Sequence, residues 1–138
     1  GMIANLTPII ITMAMMVLCD FPLDAFTLLI GSIGLGLAVD DTIHFLNNYM
    51  RYLKEYQDPV RAVKETLATA GEAMFFTSIT LAAGFAVYSF ATMQNLMHFG
   101  LLTAFCVMVA FLADVTLNPA IMFLYGRNEM KKIAAKTA

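Results

Sequence analysis

The sequence predicts an all-α membrane protein: four transmembrane helices and one longer amphipathic segment on the cytoplasmic side. Three observations carry this reading. Of 138 residues, 60% are hydrophobic and only 13% charged, whereas a soluble globular domain carries about 25% charged residues. The apolar residues gather into four long runs. All eight Lys and Arg residues fall into two of the stretches that border those runs.

The first run, residues 3–19, is short against the ~20 residues that a span needs. It lacks a basic start and a small-residue cleavage site, so no signal peptide is expected. The link Cys19–Asp24, with Pro22 and two acids, predicts a tight turn. The second span covers residues 25–46. Residues 47–72 form the one extended polar stretch, with a break at Asp58-Pro59 and then a helix starting at Pro59. Val60, Val63, Leu67 and Ala70 make its apolar stripe, which predicts a helix lying on the membrane surface. The third span covers residues 73–90. A short turn then leads to the fourth, residues 99–125, and a polar tail, residues 126–138.

Orientation follows from charge. Arg51, Lys54, Arg61 and Lys64 lie in the long polar stretch, and Arg127, Lys131, Lys132 and Lys136 in the tail. The other two links carry neither Lys nor Arg. The positive-inside rule therefore assigns the long loop and both termini to the cytoplasm. With a net charge of −2, no nucleic-acid partner is expected.

The residues that invite a function are Asp40 and Asp41, the only formal charges in residues 26–46. One Asp near the middle of a membrane helix costs about 2.5–3.5 kcal/mol on insertion scales. Two adjacent ones suggest work that needs a titratable group, with proton coupling first. His44 lies within a helical turn of both. Spans two and four run inward and span three outward, which places Asp40, Asp41, Thr77, Ser78, Thr80 and Asn118 at one level, about 6–11 Å from the inner edge. Asp114 stands about 15 Å from it. Thr77, Ser78, Thr80, Asp114, Asn118 and His44 are thus candidate relay partners. The plainer readings are that the hydroxyls bond to their own helix, that Asn118 serves a kink at Pro119, and that His44 is interfacial.

Gly31, Gly34, Ala38 and Asp41 share one helix face, a small-residue strip suited to close helix packing. Gly36, Asp40, His44 and Asn47 form a second strip about 100° round. Gly84 continues a small, polar face with Thr77 and Thr80. No CxxC, HExxH or phosphate-binding glycine loop occurs, so neither a metal nor a cofactor is expected beyond the coupling ion. The eleven methionines are scattered as packing material. Cys19 and Cys106, both in apolar surroundings, are read the same way.

The segment GLAVDDTIHFLNNYMR, residues 36–51, resembles the fourth helix of a transmembrane half in the resistance–nodulation–division (RND) superfamily, nearest its MMPL-like exporters. TSITLAAGF, residues 77–85, and FGLLTAFCVMVAFLADVTLNPAIMFL, residues 99–124, resemble the fifth and sixth helices. The resemblance covers helices three to six of one half and implies part of an RND/MMPL-type bundle. It implies a proton relay at Asp40 and Asp41, and a proton-driven exporter of hydrophobic or lipid-like substrates in the inner (plasma) membrane. Implied partners are membrane lipids, the rest of the transporter with its extracytoplasmic domains, and further copies in an oligomer. The short polar tail favours the C-terminal half. Two carboxylates near hydroxyls suit Na⁺ as well as H⁺. The alternative is a sterol-sensing-type regulatory module that responds to lipid and moves no protons. No enzymatic activity is expected.

Overall fold

The computed structural model describes residues 2–21 and 25–137, with side chains from Asn5 onwards. Pro22 and Asp24 of the expected first turn lie outside the described residues. Four helices follow in order: α1 (Met2–Leu18), α2 (Ala25–Tyr56), α3 (Pro59–Ala86) and α4 (Gln94–Thr137), with a single 3-10 turn, Val87–Phe90, after α3. No strand occurs among the described residues. By length and composition α2, α4 and the segment Pro59–Phe90 can each cross a membrane, whereas α1 is a shorter apolar helix.

The helix ends obey local chemistry. Asp20 and Gln57 take positive φ angles of 53° and 52° just beyond α1 and α2, the left-handed conformation that commonly stops a helix. Asp58 then caps α3, its Oδ1 accepting from the Val60 amide at 3.1 Å, with Pro59 in the first turn where a missing N–H costs nothing.

The amphipathic stretch differs from its expected form. No break separates it from the third span, and α3 runs through both. Its inward face is Ala62, Thr66, Ala70, Met74 and Ser78, one residue per turn. Val63 and Leu67 pack against a core of Phe45, Tyr49, Ala70, Met74 and Met122, and Val60 is exposed. Most of the predicted stripe thus meets α2 and α4. α2 and α4 likewise continue as helix well past their apolar runs, because no proline interrupts residues 47–56 or 120–137.

α4 packs against all three other helices. Between membrane helices, close van der Waals fit replaces the hydrophobic effect as the source of association. At Gly34 a Cβ would stand 2.7 Å from Cys106 Sγ, so α2 and α4 approach as only glycine permits. Gly100 meets the Phe85 carbonyl and Tyr88 in the same way, and Gly126 meets Tyr49 and Pro59. Gly31, Gly36 and Gly84 have open space around them. Tyr49 then ties the C-terminal parts of α2 and α4 together, its hydroxyl donating to the Met122 carbonyl at 3.1 Å.

Candidate functional site: a buried carboxyl pair

The two neighbouring aspartates part company in three dimensions. Asp41 points into the bundle, only 5% exposed; Asp40, about 100° round the helix, is exposed. Gly34, Ala38, Asp41 and Phe45 form the inward line of α2, and the Gly34–Cys106 approach fixes which face that is. The second strip, Gly36, Asp40, His44 and Asn47, faces outward.

Asp114 of α4 is fully buried. It lies within electrostatic reach of Asp41 and in hydrogen-bonding range of Thr42. Its Oδ1 accepts from Asn118 Nδ2 at 2.9 Å, and the same amide reaches Thr42 Oγ1 at 3.5 Å. Thr42 in turn donates to Asn5 Oδ1 of α1 at 2.6 Å. α1, α2 and α4 therefore meet in one polar layer. Within it, Asp41 Oδ2 and Asp114 Oδ2 are buried with no hydrogen-bond partner among the described residues. Among the described residues no cationic side chain forms an ion pair with either carboxyl, and the ion pair found is Lys132–Glu129 near the end of α4.

The third helix contributes differently. The Thr77 hydroxyl donates to the carbonyls of Ala73 and Met74, and Thr80 to that of Phe76, the back-bonding usual for hydroxyls in membrane helices. Ser78 is buried, its Oγ without a partner among the described residues. Between α2 and α3 a groove of about 370 Å³ opens to the surface, lined by Asp40, Asp41, His44, Asn48, Thr69 and Thr77 among others. Asp41 is the residue common to the groove and the buried layer. Asn5 and Thr42 escaped the sequence reading. Asn5 is the lone amide in the first apolar run, and Thr42 adjoins the acid pair, so depth-matching of α1 as well would have found both.

An α-helical bundle with three spans, a fourth apolar helix and two carboxyls buried at membrane depth is a multi-pass membrane protein whose polar centre lies between helices. Such centres are rare in membrane segments and mark ion or substrate pathways.

Comparison with known proteins supplies the family. The MMPL family model matches residues 5–137, nearly all of the chain, and the chain belongs to the MMPL family. It is 29% identical over 128 residues to a putative membrane protein, MJ1562, of Methanocaldococcus jannaschii, covering 93% of this chain and 33% of the relative. It is 33% identical over 92 residues to the sulfolipid-1 exporter MmpL8 of Mycobacterium tuberculosis, covering 67% of this chain and 8% of that protein. It is 36% identical over 91 residues to human protein dispatched homolog 3, covering 66% of this chain and 6% of that protein. The chain thus spans a third or less of each of these relatives. No solved structure matches it.

Proposed function

We propose that this chain is the ion-coupling segment of an MMPL-type exporter of hydrophobic or lipid-like substrates, with Asp41 as its central acid. The observation that carries the reading is the Asp41–Asp114 pair. Two buried carboxylates within electrostatic reach of each other and without a cation would cost several kcal/mol each; a bound proton or a small cation removes that cost. The groove lined by Asp40 and His44 offers ions a path from the surface to Asp41, and Asp114, held by Asn118, takes the charge deeper. Occupancy of the pair changes the charge at the α2–α4 seam, and a bistable helix interface converts such a local change into movement. Similarity to an exporter of sulfolipid-1 supports a lipid-like cargo.

The working transporter includes further membrane helices and extracytoplasmic domains, and sits in a prokaryotic inner membrane with both termini of this segment in the cytoplasm. That orientation follows from the positions of the eight basic residues. The test is export by the complete parent protein carrying Asp41→Asn or Asp114→Asn. Both substitutions keep side-chain volume and remove the charge. Loss of export with unchanged membrane insertion is expected. Wild-type export in both variants would overturn the proposal and favour a lipid-responsive module that moves no ions.

A further inference from the structure

We infer that the inner end of α4, where it crosses the start of α3, is a binding site for one anionic phospholipid. A groove of about 370 Å³ lies there, walled by Pro59 and Val60 of α3 and by Phe123, Arg127, Met130 and Lys131 of α4. It lies beside the point where Gly126, lacking a Cβ, lets α4 rest directly on Pro59 and the Tyr49 hydroxyl.

The lining is amphipathic in the way a phospholipid is. Val60, Phe123 and Met130 are 58%, 38% and 42% exposed among the described residues, which leaves an apolar surface along the crossing. Phe123 lies in the last turn of the apolar run of α4, and Arg127 and Lys131 follow at intervals of one turn, about 6 Å each. Neither cation has a carboxylate partner among the described residues: Glu129 pairs with Lys132 at 3.3 Å, and Asp58 caps the Val60 amide. Two unpaired cations at the boundary, over an apolar furrow, complement a phosphate headgroup and the chain that hangs from it. Basic pockets at the cytoplasmic ends of membrane helices hold anionic lipids on the same physical grounds. A guanidinium adds bidentate phosphate geometry that an ammonium lacks. The site is separate from the carboxyl pair and stands whether or not the chain couples ions.

Native mass spectrometry of the chain in detergent, titrated with phosphatidylglycerol or phosphatidylcholine of matched acyl chains, tests the inference. One phosphatidylglycerol per chain, retained at least about tenfold more tightly than phosphatidylcholine, is expected. Arg127→Gln/Lys131→Gln should abolish that preference, whereas Lys54→Gln/Lys64→Gln, which removes the same charge elsewhere, should keep it. Excess inorganic phosphate should not displace the lipid. Helicity by circular dichroism confirms that both doubly substituted chains fold, as the exposure of all four side chains or their stems leads us to expect. Equal retention of the two lipids, equal loss in both double variants, or displacement by phosphate alone would each overturn the assignment.

Discussion

Asp41 on α2 and Asp114 on α4 are both buried in the bundle, within electrostatic reach of each other, and each keeps one carboxylate oxygen without a hydrogen-bond partner among the described residues. Asn118, one turn along α4, donates to Asp114 Oδ1 and with the same amide reaches Thr42 Oγ1 on the facing helix. On the proposed function, those two buried oxygens are where a proton or cation binds.

Hydrophobic carbodiimide, which modifies protonated carboxyls in apolar surroundings, should therefore distinguish the two neighbouring aspartates. In lipid vesicles Asp41 and Asp114 are expected to be labelled, and Asp40 is expected to be spared at neutral pH. Mass spectrometry of the labelled chain locates the sites. Protection by Na⁺ would identify a metal cation as the coupling ion. Preferential labelling of Asp40 would contradict the assignment of Asp41.

The Gly34–Cys106 approach should limit stability. Gly34→Ala places a methyl 2.7 Å from Cys106 Sγ, and overpacking of this kind costs about 1–3 kcal/mol. Cys106→Ala in the same chain removes the obstructing sulfur. The double variant is expected to melt above Gly34→Ala alone, measured by circular dichroism in detergent. Strict additivity of the two effects would show that the residues do not touch.

A related test concerns the inner end of the bundle. Tyr49→Phe removes one hydrogen bond, to the Met122 carbonyl, and should cost about 0.5–1.5 kcal/mol. Gly126→Ala meets both the Tyr49 hydroxyl and the ring of Pro59, so it should cost more. Tyr49→Phe should recover part of that loss but not all, because Pro59 still blocks the new methyl. Full recovery would mean that Pro59 plays no part.

Thr42→Val keeps shape but deletes the hydroxyl that joins Asn5 to Asn118. It should lower stability by about 1–3 kcal/mol and, in the parent protein, reduce export without abolishing it, since both carboxyls persist. Thr80→Val, where the lost bond is only to the Phe76 carbonyl of its own helix, should leave export unchanged. Equal transport defects in the two variants would separate export from the polar layer.

Much of this was legible in the chain. Four apolar runs, the Asp58-Pro59 helix start and the one-sided Lys and Arg residues follow from local composition, because a bilayer forces each span to satisfy its own backbone. The relative level of Asp41, Asp114 and Asn118 along the bundle was legible too, since a fixed rise per residue converts position into height. What sequence could not assign was azimuth. Helical periodicity separates Asp40 from Asp41 by about 100° without saying which of the two faces the other helices. The contact of Gly34 with Cys106 decides it. For the same reason Thr77 shares a depth with the acids yet lies in the open groove, bonded to its own helix, while Asn5 comes from a helix left out of the depth comparison. The join between the amphipathic stretch and the third span was equally undecided, because α3 keeps one helical period through both and only packing against Tyr49 and Met122 gives its polar half a partner. Sequence determined which residues reach membrane depth. Tertiary structure alone decided which of them meet, because meeting depends on how helices rotate against each other, and that is set by where a glycine lets them touch.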